Sequence, residues 1–187
     1  MSKKTIEVAF DHMGTKIKIK ANDVCSNCVY KLYAKDEETV TLGIGNIHSN
    51  FIFILPSYDP KSKLGYVNLL TILKDAYSDV FNRDIFNDVY VTRLVKCSKN
   101  TTFNLYESAI SPCSHYLTYE VNRLVAKHII FFGSTFDDYQ NNNTVAMYLH
   151  NKYVYKAYSP AVLLYDNIIV KDKFFNELKT ILSSMLN

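Results

Sequence analysis

Four cysteines are the residues whose spacing most clearly indicates chemistry in this sequence. They are Cys25, Cys28, Cys97 and Cys113, and the chain contains no others. Two thiolates three residues apart can ligate one metal centre from a single turn, and a second pair can complete its coordination. The set therefore predicts a metal site that ties the N-terminal segment to the middle of the chain.

Composition and charge indicate one globular domain inside the cell. The chain has 187 residues, 48% of them hydrophobic, so it can bury a sizeable core without disulfides. We expect a single domain over residues 1–187. It shows neither a membrane-length apolar run nor a signal-peptide core, so we expect a cytoplasmic protein without membrane contact. In that compartment closely spaced cysteines favour metal binding over disulfides.

The elements that must position these cysteines alternate between strands and helices. Strands are predicted at about residues 51–55, 88–95, 127–133 and 153–158, and helices at about 66–80, 106–110, 114–125 and 171–185. This order predicts a three-layer α/β/α fold around a four-stranded, mostly parallel sheet. The alternation over residues 5–20, around Gly14, predicts an N-terminal β-hairpin extension over residues 1–21.

The loop at residues 56–64 leaves the carboxyl end of the first predicted strand, the edge where open α/β sheets bind ligands. Gly43 and Gly45 are interpreted as tight-turn glycines, since the spacing of a phosphate-binding loop is absent. Basic residues lie at or near the same edge and are candidates for phosphate contacts, although each is also typical of a solvated surface. They are Lys61, Lys63, Arg93, Lys96 and Lys99.

The sequence resembles the iron–sulfur class of uracil-DNA glycosylases, the type called family 4, over about residues 25–183. The order and spacing of the four cysteines match that family's cluster ligands. Residues 43–46 (GIGN), 88–97 (DVYVTRLVKC) and 158–164 (YSPAVLL) look like its G-x-G-N, D-V-Y-x-x-N-x-V-K-C and Y-H-P-A-x-L-L segments. The resemblance implies a uracil-DNA-glycosylase-like fold and a 4Fe–4S cluster on the cysteines, with structural zinc as the alternative.

The sequence departs from that family at the positions that carry its chemistry. Pro56 stands where the family has an acidic residue, Arg93 where it has the uracil-reading Asn, and Ser159 where it has a His. A guanidinium offers donors only, whereas an amide offers both a donor and an acceptor. Asp59 is the weak candidate for a replacement catalytic carboxylate, followed by His48. The former base pocket implied by the resemblance comprises Pro56, Ser57, Tyr58, Arg93 and Ser159.

These departures predict a glycosylase-like protein without the standard catalytic residues. We expect a DNA-binding or protein-interaction subunit in viral replication or transcription, located in the host cytoplasm if viral; the composition, rich in Tyr, Asn and Lys, resembles that of AT-rich genomes. The candidates for DNA contact are Lys61, Lys63, Lys99, Leu163 and Leu164, the leucines lying where the family inserts a wedge into the duplex. Two alternatives stay open. One is an active glycosylase with a rearranged site for uracil or another modified base, and the other is a decoy that binds a protein through the former DNA groove.

Overall fold

A computed structural model describes residues 18–20, 39–41, 43–57, 64–96, 103–141, 149 and 151–183. Strands β1 (Lys18–Lys20) and β2 (Thr39–Thr41) form a small antiparallel pair. The main sheet contains β3 (Ile44–Gly45), β4 (Phe51–Leu55), β5 (Tyr90–Arg93), β6 (His128–Phe132) and β7 (Tyr153–Ala157). Its order is β3-β5-β4-β6-β7, with β3 antiparallel to β5 and the other neighbours parallel.

Helices cover both faces of this sheet. They are α1 (Tyr66–Phe81), α2 (Ile85–Asp88), α3 (Phe103–Arg123), α4 (Thr135–Gln140) and α5 (Ile168–Ser183), with a 3-10 helix at Pro160–Leu164. Alternate residues of β4 point to opposite faces, as a strand requires. Ile52 and Ile54 pack in the core beneath α3, whereas Phe53 and Leu55 pack in the core beneath α1 and α5. The predicted three-layer α/β/α fold is therefore confirmed.

The predicted strand count and several boundaries are wrong in ways that have physical causes. The fifth strand is β3, formed by a glycine-containing segment that we interpreted as a turn. β5 begins later than predicted because α2 precedes it, capped by the Asp84 carboxylate, which accepts from the N–H of Phe86. β1 pairs with β2. The other half of the predicted hairpin lies outside the described residues.

The predicted break between helices at 106–110 and 114–125 is also absent. α3 continues through Pro112, although proline lacks the N–H that a helix interior needs. The helix buries Ala109, Cys113, Leu117 and Val121 against the sheet. This apolar stripe at helical spacing outweighs the missing hydrogen bond. In the described part of the chain, no helix is both long and apolar enough to cross a bilayer.

Candidate functional site

The carboxyl ends of β4 and β5 lie side by side, with Leu55 paired to Arg93. This register brings the predicted pocket residues Pro56, Ser57 and Arg93 together. Pro56 is buried. The Ser57 hydroxyl donates to the carbonyl of Val95 at 2.6 Å and accepts from its N–H at 3.1 Å. Ser57 thereby fastens the segment after β4 to the segment after β5.

Arg93 is turned into the protein rather than towards solvent. Its side chain is buried, with 4% of the residue exposed, and Nη2 donates to the carbonyl of Lys96 at 2.5 Å. A buried arginine requires such partners because an unpaired charge is costly away from water. The guanidinium of Arg93 therefore stabilises the turn of the chain that follows β5.

Lys96 forms a buried ion pair with Glu120, which projects from α3. Nζ of Lys96 also donates to the Thr92 hydroxyl at 2.7 Å. Burial lowers the pKa of Lys96, and the Glu120 carboxylate opposes part of this effect. Since Lys96 has no exposed surface and Arg93 has only 4%, their burial contradicts the predicted phosphate contacts of both residues.

Glu120 accepts hydrogen bonds from two separate segments of the chain, the residue before β3 and strand β5. Its Oε1 accepts from the N–H of Gly43 at 2.5 Å and from the hydroxyl of Tyr90 at 2.8 Å, and Oε2 accepts from the Thr92 hydroxyl at 3.0 Å. Gly43 lies so close to β5 that a Cβ there would fall 2.4 Å from the carbonyl oxygen of Val91. The glycine is therefore required by close approach and not by a tight turn. Sequence reasoning missed Glu120, because a glutamate within a helix is usually solvated.

The carboxyl ends of β6 and β7 form the second half of this edge. A cleft of about 630 Å³ lies beside them, lined in part by Gly133, Ser134, Ser159 and Tyr165. Gly133 has a φ of +67°, and a Cβ atom added at this position would lie 3.2 Å from the Cβ atom of Ser159. The Ser159 hydroxyl accepts from the N–H of Ala161 at 3.3 Å and so caps the 3-10 helix.

The two predicted wedge leucines occupy different environments. Leu163 is partly buried and packs against the core beneath α1 and α5, whereas Leu164 is 54% exposed. Of the two, Leu164 has the side chain that a partner can reach.

The structure describes one of the four predicted metal ligands. Cys113 is buried in α3, within the same core cluster as Leu94 and Val95, and it lies close enough to Lys96 to influence that residue's pKa. The helix thus carries Cys113 beside the chain that leads to Cys97. The remaining predicted site residues lie outside the described part: Cys25, Cys28, Tyr58, Asp59, Lys61, Lys63, Cys97 and Lys99. Within the described part, no cluster of three or more His, Cys, Asp or Glu residues could hold a metal ion.

A family model of the uracil DNA glycosylase superfamily matches residues 67–182, well over half of the chain. The chain belongs to the uracil DNA glycosylase superfamily. The matched region runs from α1 to α5 and includes Arg93, Glu120 and Ser159. A search of curated proteins found no match.

The described residues at the carboxyl ends of the parallel strands can be compared with what base excision requires. The residues that directly follow the parallel strands are Pro56 and Ser57, Leu94 to Lys96, Gly133 and Ser134, and Tyr158 and Ser159. These residues include no carboxylate and no imidazole, although Glu177 of α5 lines the cleft beside β6 and β7. Hydrolysis of an N-glycosidic bond needs groups that position water and stabilise the departing base. At these strand ends, the hydroxyls of Ser57 and Ser159 and the guanidinium of Arg93 bond to neighbouring main chain.

Proposed function

We propose that this protein is a DNA-binding subunit that uses the uracil DNA glycosylase scaffold without base excision. The observation that carries the proposal is the burial of Arg93, whose guanidinium bonds to the main chain at the position expected for the base-reading amide. Ser57 and Ser159 support it, because both hydroxyls already bond to nearby main chain. The proposed setting is viral replication or transcription; the composition fits an AT-rich genome, such as that of a virus or a low-GC bacterium.

Leu164 is the proposed contact that enters the nucleic acid. It lies at the end of the 3-10 helix, with more than half of its surface exposed, and Tyr165 follows it at the rim of the cleft. Apolar side chains can wedge between bases, and aromatic rings stack on them. Lys61, Lys63 and Lys99 are the proposed phosphate contacts.

The four cysteines are proposed to hold a 4Fe–4S cluster, with structural zinc as the alternative. Cys113 supports this because it is buried beside the segment that leads to Cys97. Thiolates suit both groups. The proposed role of the metal centre is architectural. The proposed DNA contacts are made by protein side chains and not by the metal centre.

The first test measures uracil release from single-stranded and double-stranded DNA. We expect no release above background from the purified protein, and the same result with other modified bases. Release at a useful rate that disappears in Asp59→Asn would contradict the proposal and favour the rearranged glycosylase, with Asp59 as its carboxylate.

The second test measures DNA affinity across a salt series. The logarithm of the affinity should fall linearly with the logarithm of salt concentration, and each Lys→Ala change at 61, 63 or 99 should reduce that slope by about 0.9 on duplex or about 0.7 on single strands. Lys127→Ala is the matched control, since Lys127 is exposed at the opposite, amino edge of the sheet.

Variants of Leu163 and Leu164 distinguish contact with DNA from packing in the core, when DNA affinity and stability are both measured. Leu164→Ala should weaken DNA binding while leaving stability nearly unchanged, whereas Leu163→Ala should lower stability. Absence of DNA binding at low salt would contradict the proposal of a DNA-binding subunit. It would favour a protein partner in the former DNA groove.

A further inference from the structure

The outer side of β7 offers main-chain groups for pairing. β7 is the last strand in the sheet order. Its Tyr153 N–H donates to the Lys127 carbonyl at 2.8 Å, and its Ala157 carbonyl accepts from the N–H of Gly133 at 2.9 Å. Successive residues of a strand turn their main-chain groups to opposite sides, so Val154 and Lys156 direct theirs away from β6. Within the described residues, none of these outward groups has a hydrogen-bond partner.

Helix α5 runs beside this open edge. The Glu177 carboxylate accepts from the N–H of Tyr158 at 3.0 Å, which is the next outward-facing amide along the strand. The helix therefore caps the carboxyl end of the edge and leaves the stretch around Lys156 accessible. A groove of about 650 Å³ lies between strand and helix, and its lining includes Val154, Lys156, Lys173, Thr180 and Ile181.

We propose that this groove binds an extended, acidic segment of a partner protein, which adds a strand to β7. An extended chain can satisfy the outward N–H and C=O groups of Val154 and Lys156 while lying against α5, the arrangement known as β-augmentation. The wall formed by α5 favours a slender segment over a second copy of this protein, because a second copy paired through β7 would bring its own α5 against the first.

The charges along the groove select an acidic segment. Lys156 and Lys173 contribute two positive charges and Glu177 one negative charge, so the lining of the groove carries a net positive charge. The ion pair between Lys156 and Asp137 has both side chains more than half exposed, so it is weak and a carboxylate of the partner can replace it.

Apolar contact is available at the amino end of the same strand. The ring of Tyr153 is 62% exposed although it stacks on His128 at 5.1 Å between ring centroids. An exposed aromatic ring next to an open strand edge is typical of protein interaction surfaces. Ile181 of α5 extends this apolar contact along the groove, whereas the side chain of Val154 packs against the core on the opposite face of the sheet.

The test uses a short, end-blocked fluorescent peptide of alternating valine and glutamate, with a valine–lysine peptide for comparison, and measures binding by anisotropy. Lys156→Pro removes the outward N–H at a position where an edge strand tolerates proline. Lys156→Ala is its matched control, because both changes remove the side chain and its ion pair while only proline removes the donor. Circular dichroism verifies folding. A valine–glutamate peptide that is N-methylated on alternate amides lacks N–H donors. It therefore tests, from the peptide's side, the main-chain hydrogen bonds to β7.

We expect the valine–glutamate peptide to bind the natural protein and Lys156→Ala, and to lose about tenfold or more in affinity with Lys156→Pro and after N-methylation. Lys173→Glu should reverse the preference between the two peptides. Equal binding to the Pro and Ala variants overturns the proposal, as does equal binding of both peptides. A dimer detected by sedimentation that Lys156→Pro abolishes, without peptide binding, assigns the edge to a second copy instead. DNA binding should be equal in the Pro and Ala variants, so failure here is distinguishable from failure of the proposed function.

Discussion

Single residues at this site act through burial, and Glu120 shows it most clearly. Its carboxylate accepts from Gly43, Tyr90 and Thr92 and pairs with Lys96. A buried ion pair contributes little net stability, but the loss of one partner leaves an uncompensated charge in the core. The pair therefore imposes one arrangement on the segments that it joins.

Lys96→Met should lower the free energy of unfolding by about 3–5 kcal/mol, because Glu120 then stays buried without its cation. The double variant Lys96→Met with Glu120→Gln should recover part of this loss, since the amide oxygen can still accept from Gly43 and Tyr90. Urea unfolding followed by circular dichroism provides the measurement. The single variant Glu120→Gln completes the comparison. If the losses of unfolding free energy in Lys96→Met and Glu120→Gln add up to the loss in the double variant, the two residues are not coupled.

His128 should make stability depend on pH. Burial, and secondarily the charge of Lys127, lower the pKa of this imidazole below its usual 6.5. The folded state thus disfavours the protonated ring, so the contribution of His128 is complete above pH 6.5 and is lost as pH falls towards the lower folded-state pKa. His128→Phe keeps a ring in the stack with Phe51 and Tyr153. Its free energy of unfolding should decline less steeply below pH 6.5 than that of the natural protein; parallel declines would contradict this.

At the scale of elements, local pattern predicted strands and helices well where one physical signal dominated. The apolar run Phe51–Leu55 is buried throughout as β4, because a strand covered on both faces needs no polar positions. The pattern failed where tertiary contacts overruled a local signal. Pro112 indicated a break that burial of α3 overcomes, and the glycines at 43 and 45 indicated a turn where β3 pairs with β5.

Pro112→Ala should stabilise α3 by restoring its missing helical hydrogen bond, with a gain of up to about 3 kcal/mol. The measurement is the midpoint and free energy of thermal or urea unfolding. Ser111→Ala, at the exposed neighbouring position, is the control for a general gain in helix propensity. A loss of stability in Pro112→Ala would contradict this expectation. It would show instead that the helix geometry imposed by Pro112 places Cys113 and Leu117 correctly in the core.

At the scale of the whole molecule, the sheet separates three regions. The carboxyl edge holds the described residues of the predicted base pocket, the outer side of β7 holds the proposed peptide groove, and α3 carries the buried residues Cys113 and Glu120. Because the proposed metal centre would join the Cys25 segment to α3, its effect should extend beyond its ligands.

Cys25→Ser should reduce bound iron or zinc and lower the free energy of unfolding, because a metal bound only in the folded state stabilises that state. Elemental analysis, visible absorbance and urea unfolding measure the outcome, and a brown protein containing iron would favour the cluster over zinc. Ser26→Ala, between the two N-terminal cysteines, is the control. Full metal content in Cys25→Ser would exclude Cys25 as a ligand.

The sequence alone determined the α/β order of elements, the buried strand β4 and the resemblance to a superfamily that the family model confirms. Those features are recorded in local periodicity and in the spacing of particular residues. Tertiary structure decided that Lys96 and Arg93 are buried rather than exposed, and that β7 is the last strand of the sheet among the described residues, with α5 beside it. The partners that decide these features come from distant segments of the chain, as Glu120 does for Lys96. Composition and local spacing do not indicate which distant groups come into contact.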